Sequence, residues 1–236
     1  MSHSGSILVA MPWIAVGDIV CKPPRIGDLD RSALPVSEPP RVEEGWVEAT
    51  DVLLTESVLD GSDAEVIELT DVHLRRVTIL VGPETVIRLW RCRLDDVDLS
   101  SCRVESMREC LVTGSKLAAT DITDGSLENV VFDNCRLDAT DFFDCRLRRV
   151  SFTESDLTNV RFDRAELSDV SFDHSRLTNV EISGTRFEHV DMRGAVSIGL
   201  AHLSAMHGVT ITVDQALELA VRAADALGFG IERPPG

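Results

Sequence analysis

The sequence has no tyrosine, and aromatic residues make up only 5% of its 236 positions. The phenylalanines it does have lie mainly between Phe132 and Phe187, a clustering that asks for a periodic cause. Basic charge is also scarce, with 23 Lys and Arg against 40 Asp and Glu, a formal net charge of −17. Such a chain repels phosphate and anionic lipid, so direct binding to nucleic acid or to a membrane surface is not expected, and partners should be basic or neutral. Long hydrophobic runs are missing too. The apolar stretch from Ile7 to Val16 lacks a basic flank and a small-residue cleavage site and contains Pro12, so it does not read as a signal peptide. No later run is long enough to span a bilayer. A cytoplasmic location is expected, and the six cysteines then need an explanation in a reducing compartment.

What the chain does have is a period of five. From Val112 onward every fifth residue is apolar: Val112, Leu117, Ile122, Leu127, Phe132, Leu137, Phe142, Leu147, Phe152, Leu157, Phe162, Leu167, Phe172, Leu177, Ile182, Phe187 and Met192. Two residues before each of these centres stands a small or β-branched residue, such as Cys135, Thr140, Cys145, Val150 and Ser155. The other three places are mostly charged or hydroxylic. Five matches neither the helical period of 3.6 nor the strand period of 2. It fits a chain that turns a corner every five residues, with one large and one small side chain inward on each short side and strand-type hydrogen bonds between coils. A square coil then takes four quintets. From Phe132 to Leu177 Phe and Leu centres alternate, which puts Phe ladders on two opposite sides and Leu ladders on the other two.

Upstream the pattern runs in another phase, with centres at Leu54, Leu59, Ala64, Leu69, Leu74, Ile79, Leu89, Leu94, Leu99 and Val104. It breaks at Glu84, beside Gly82 and Pro83, where a turn or bulge is expected. The step from Val104 to Val112 is eight residues. Either three extra residues bulge from a corner there, or Met107 takes an inward site and the shift is absorbed differently.

Quintets such as Ser155-Asp156-Leu157-Thr158-Asn159 and Ala165-Glu166-Leu167-Ser168-Asp169 resemble the pentapeptide-repeat family, whose consensus is a small residue, Asp or Asn, Leu or Phe, and two variable residues. The resemblance covers roughly residues 50 to 195 and implies an all-β fold, a right-handed quadrilateral β-helix. Many quintets depart from the consensus, with Val or Thr in the small site and Arg at Arg136, Arg146 and Arg176.

Three segments are expected: an irregular Pro-rich arm over 1–46; the β-helix over 47–195, interrupted near 82–86 and 105–111; and a strand and helix over 196–236. The apolar start of the arm could cover the first coil, since an open solenoid end exposes core and unpaired backbone. Val209 to Val213 reads as a short strand, Asp214 as a helix N-cap and Gly228 as the stop. Leu217, Ala220, Val221, Ala224 and Leu227 form one stripe of that helix, which could seal the last coil or pair with its copy in a homodimer. The family resemblance adds that some members dimerise tail to tail.

No catalytic, cofactor-binding or metal-binding residues are expected. Cys92, Cys102, Cys110, Cys135 and Cys145 take the small inward site and read as core; Cys21 alone lies outside the pattern. His73, His174 and His189 fall on outward places, and His202 and His207 have no third ligand at metal spacing. A convex solenoid side offers no pocket to shift the pKa of its carboxylates, so the chain is not expected to be an enzyme.

The surface remains. The side centred on Ile122, Phe142, Phe162 and Ile182 carries Asp121, Asp124, Asp141, Asp144, Asp163 and Glu181 against Arg161 and Arg164. The adjacent side, centred on Leu127, Leu147, Leu167 and Phe187, is mixed. Phe143 and Trp90 fall on outward places as candidate hydrophobic contacts. These features give a candidate partner-binding surface and two readings. One follows from the resemblance to quinolone-resistance members: a DNA mimic that protects or modulates a type II topoisomerase, DNA gyrase or topoisomerase IV. The other is a structural or scaffolding module with no topoisomerase target.

Overall fold

The computed structural model describes residue 25 and residues 34–200, 206–226 and 228–229. Among them are seventeen strands and one helix, α1 (Val213–Ala226). The strand ladders run parallel with neighbours twenty residues apart, as where Val47 faces Ile67 and Leu127 faces Leu147, which in turn faces Leu167. The result is a β-solenoid of about eight turns with one short C-terminal helix, the quadrilateral β-helix that the five-residue period implies.

The corners explain the period. Ala119, Asp124, Asn129, Asn134 and Ala139, five apart, all have φ between 52° and 58°. The Thr120 and Gly125 amides bond back to the carbonyls of Leu117 and Ile122, so these corners are β-turns with positive φ at the third residue, the type II pattern. Each turn re-aims the chain, and strand alternation over the next residues sends two side chains inward. The rod therefore has four sides, named here by one centre each: the Phe142, Leu147, Phe152 and Leu157 sides.

Two aromatic ladders fill the core. Phe132, Phe152 and Phe172 stack at 5.1 Å between ring centroids, and Phe142 stacks on Phe162 at 4.9 Å. Edge contacts at 6.3 Å join the two ladders across the interior. Leu centres such as Leu147 and Leu157 close the other two sides and are fully buried. The alternation of Phe and Leu thus fills a narrow interior with buried side chains.

At the first break Thr85, not Glu84, turns inward: its hydroxyl reaches the Ala64 carbonyl at 2.5 Å and accepts the Gly82 amide at 3.0 Å. At the second, Ile87 lies opposite Val104 but Leu89 opposite Met107, and Arg93 then pairs with Leu111, eighteen residues on. Met107 is 1% exposed and fills the inward site. The step of eight is therefore three plus five, and the coil loses two residues where a bulge would add three.

At the C-terminus α1 is capped by Thr212 rather than Asp214. The Thr212 hydroxyl accepts the Gln215 amide at 3.2 Å, and the Gln215 side chain accepts the Thr212 amide at 2.8 Å, a reciprocal capping box. Gly228 has φ +76° and the Phe229 amide bonds the Ala224 carbonyl, a glycine-terminated helix end. The apolar stretch of the arm, Ile7 to Val16, lies outside the described residues.

Candidate functional site

The parallel register gathers the six predicted carboxylates on the Phe142 side. Asp121, Asp141, Arg161 and Glu181 follow one another in one ladder. Asp124 and Asp144 take successive corners, and the amide of Asp144 bonds the Asp163 carbonyl. They are not equivalent. Asp141 pairs with Arg161 and Asp144 with Arg164, and the hydrogen bond to Asp141 raises the pKa of Arg161. Both guanidiniums also lie over Phe143, at 5.6 and 4.9 Å from its ring centroid. Phe143 is therefore half-buried between two cations rather than bare. Among the described residues no basic group lies within salt-bridge distance of Asp121, Asp124, Asp163 or Glu181.

The same vertical pairing recurs around the rod. Glu56 with Arg76, Asp71 with Arg91, Glu128 with Arg148 and Glu166 with Arg186 all join residues twenty apart. Apart from Asp71, which is buried, these are surface pairs, and such pairs contribute about 0–1 kcal/mol; their larger effect is to remove like-charge repulsion between stacked coils. Over residues 46–191 there are 30 acidic and 16 basic residues, a net of −14. The Phe142 side, extended to its earlier quintets, holds ten of those acids against Arg103, Arg161 and Arg164, half of the excess.

Trp90 is 46% exposed, but it sits on the Leu147 side, away from the acidic ladder. Arg91 lies 4.5 Å from its ring. The register slip leaves a groove of about 300 Å³ beside it, lined by Glu68, Arg88, Trp90, Ser106, Arg108 and Glu128 among others. Arg88 bonds Glu105 at 3.0 Å, and Arg108 approaches Glu128 at 3.4 Å. The groove is thus walled by internally paired charges. The eight-residue step in the repeat was its only signal in the sequence.

The five repeat cysteines are free and buried. Burial pushes the thiols of Cys102 and Cys135 up to about 11 and about 12, so they stay protonated and inert as nucleophiles. Cys21 lies outside the described residues, as does His202. Among the described residues no group of three or more His, Cys, Asp or Glu is placed to hold a metal ion, and no helix is long and apolar enough to cross a membrane. The outward reading of His73 needs correction. It is 8% exposed and its Nε2 lies 2.8 Å from Asp95.

On α1 the predicted stripe does not meet the rod. Leu217 and Val221 are 62% and 48% exposed, Ala220 is exposed and Ala224 half-buried; Leu227 lies outside the described residues. The docked face is Leu219, 7% exposed, with Gln215, whose side-chain amide donates toward the carbonyls of Met192, Arg193 and Ala195 at 2.9–3.2 Å. The reason is the cap: fixing Gln215 inward rotates the Leu217 stripe away from the last coil.

Comparisons with known proteins place this geometry. Residues 125–198 match the family model described as pentapeptide repeat region. Among solved structures, a trypsin-treated form of QnrB1, a plasmid-mediated fluoroquinolone resistance protein, is 15% identical at a TM-score of 0.35, covering 80% of this chain and 100% of that one. HetL, a pentapeptide repeat protein involved in heterocyst differentiation regulation from the cyanobacterium Nostoc sp. Strain PCC 7120, is 16% identical at 0.33, covering 65% and 84%. Likenesses at this level carry no argument about function or partners. No curated protein matches the chain. Residues 125–198 are thus a pentapeptide repeat region, and the same parallel coils run back to Trp46.

Proposed function

We propose that the protein is a non-catalytic, protein-binding solenoid, and specifically a DNA mimic that modulates or protects a type II topoisomerase, DNA gyrase or topoisomerase IV. The observation that carries this reading is linear charge density. A net of −14 over residues 46–191, wound at ~4.8 Å per coil, is roughly one negative charge per 2.5 Å of axis. Duplex DNA carries one per about 1.7 Å. A groove built to attract a duplex would meet a rod of comparable charge, most concentrated on the Phe142 side. Asp121, Asp124, Asp163 and Glu181, which form no salt bridge among the described residues, would make the contacts; Asp141 and Asp144, already paired, would contribute less. The buried, protonated thiols suit a reducing, cytoplasmic setting.

The test is gyrase supercoiling and fluoroquinolone-induced cleavage with and without the purified protein. The reading predicts altered supercoiling or reduced cleavage at micromolar protein, with the effect weakened by Asp121→Lys and Asp124→Lys. No effect would sink the topoisomerase reading. One observation favours a second reading, an interaction module or homodimer with no topoisomerase target: the exposed stripe of Leu217 and Val221 on α1. A sedimentation measurement of mass separates the homodimer from a monomeric module.

A further inference from the structure

The small inward place just past the corner between the Leu147 and Phe152 sides is held by valine in most coils. Val130 faces Val150, Val150 faces Val170, and Val72 stands earlier in the same ladder. Between Val72 and Val130 the ladder holds Cys92 and Cys110. The register sets these two directly opposite each other, since Trp90 pairs with Arg108 and Arg93 with Leu111. Hydrogen bonds between the coils close on both sides, from the Arg91 amide to the Arg108 carbonyl at 2.8 Å and from the Leu111 amide to the Cys92 carbonyl at 3.0 Å. The slip creates the pair: in an unbroken twenty-residue coil Cys92 would stack on Val112 instead. The other repeat cysteines have no such neighbour among the described residues. Cys135 lies between Ser115 and Ser155, Cys145 between Gly125 and Ala165, and Cys102 stacks on Thr120.

Coils stack at about 4.8 Å, inside the Cα separation of about 4.4–6.8 Å that a disulfide spans. Both side chains take the same course, each Sγ lying 3.3 Å from the carbonyl two residues before its own, that of Trp90 or of Arg108. The sulfurs therefore stack as the backbones do, and the two thiols hydrogen-bond each other. Burial raises the pKa of Cys92, but the hydrogen bond from Cys110 and backbone hydrogen bonds outweigh it and leave this thiol below its ordinary value. Burial and that same bond push Cys110 well up. One sulfur is thus the readier thiolate and the other holds the proton, as thiol oxidation to a disulfide requires. Both cysteines are 0% exposed. The groove at the slip is lined by the inward Leu89 and Met107, each three residues before one of the cysteines, so a small oxidant approaches from there when the coil opens locally.

We propose that Cys92 and Cys110 are a dithiol site that a peroxide converts to a disulfide, stapling the two coils at the slip. The Cys92 thiolate attacks one peroxide oxygen, the O–O bond breaks, and the hydroxide that leaves takes up a proton to become water. The Cys110 sulfur then attacks the sulfur of the resulting sulfenic acid. The S–S bond forms as the S–O bond breaks, and the hydroxyl departs with the Cys110 proton as a second water. The two sulfurs lose the two electrons that reduce the peroxide. The test is hydrogen peroxide treatment of the folded full chain carrying Cys21→Ser, which removes the thiol outside the repeat, followed by alkylation, trypsin digestion and mass spectrometry. The expected product is a link, reducible by dithiothreitol, between the peptides Cys92–Arg93 and Glu109–Lys116, formed about tenfold or more faster than Cys135 or Cys145 is lost. Cys92→Val, which continues the valine ladder, should leave Cys110 as slow to react as Cys135. In the oxidised chain the Leu111 amide, bonded to Cys92 across the staple, should exchange about tenfold more slowly. Loss of Cys92 and Cys110 no faster than that of Cys135, separate sulfinic acids in place of the link, or unchanged exchange at Leu111 would overturn the proposal.

Discussion

Ala139 sits at a corner with φ 58° and is exposed, so its methyl group meets a backbone region that L residues other than Asn and Asp disfavour. Ala139→Gly removes that cost, and its larger unfolded-state entropy only partly offsets the gain. A stabilisation of about 0.5–1 kcal/mol is expected in urea unfolding, whereas the same change at an ordinary strand position would destabilise. Charge at single residues sets a pH dependence. Burial, and then the charge of Glu154, raises the Asp133 carboxyl above its ordinary value of 3.8. Ionising it therefore costs more in the fold than in the unfolded chain, a penalty absent below the ordinary pKa and fully present above the raised one. Asp133→Asn should stabilise the protein at neutral pH and lose that advantage in melts at about pH 3. The opposite sign holds for Asp95. Burial raises its pKa, but hydrogen bonds from His73 and Arg93 and the Arg93 charge outweigh that and leave it lowered. Its contribution is present above the ordinary carboxylate pKa and lost as pH falls through the lowered value.

At the scale of the element, the coil and the helix were not equally legible. The five-residue period fixes which residues point inward, so the Phe ladders and the five core cysteines could be read from sequence. Contacts between coils could not be read so directly. Arg161 meets Asp141 only because a coil is twenty residues long, and Met107 fills a core site only because the coil before it drops to eighteen. His73 reads as outward by phase but is buried beside Asp95, in the next coil, a contact that a period alone does not give. In α1 the stripe is apolar and faces away from the last coil, since one side chain, Gln215, both completes the capping box and reaches the carbonyls of Met192 and Ala195. Gln215→Ala removes both at once. The expected result is faster amide exchange throughout α1, by a factor of about 10–100 for a loss of about 1–3 kcal/mol, with exchange in the Phe132 to Phe172 coils unchanged. If the two slowed or quickened together, the helix would be part of the solenoid's cooperative unit and not a separately docked cap.

At the scale of the molecule, the interior and the surface follow from the same winding. Stacked coils bring identical repeat positions within about 4.8 Å of each other, which gives aromatic stacking inside and forces charge pairing outside. Pairing is complete on some ladders and incomplete on the Phe142 side, so the net charge becomes a directed one. The central claim is that this side competes with duplex DNA for a basic protein groove. The most direct measurement is binding of the purified protein to DNA gyrase in competition with a duplex, followed across salt concentration. The account predicts mutually exclusive binding whose affinity falls steeply with salt, with a shallower slope for Asp121→Lys, Asp124→Lys. Absence of binding at micromolar protein, or binding that leaves the duplex in place, would contradict it.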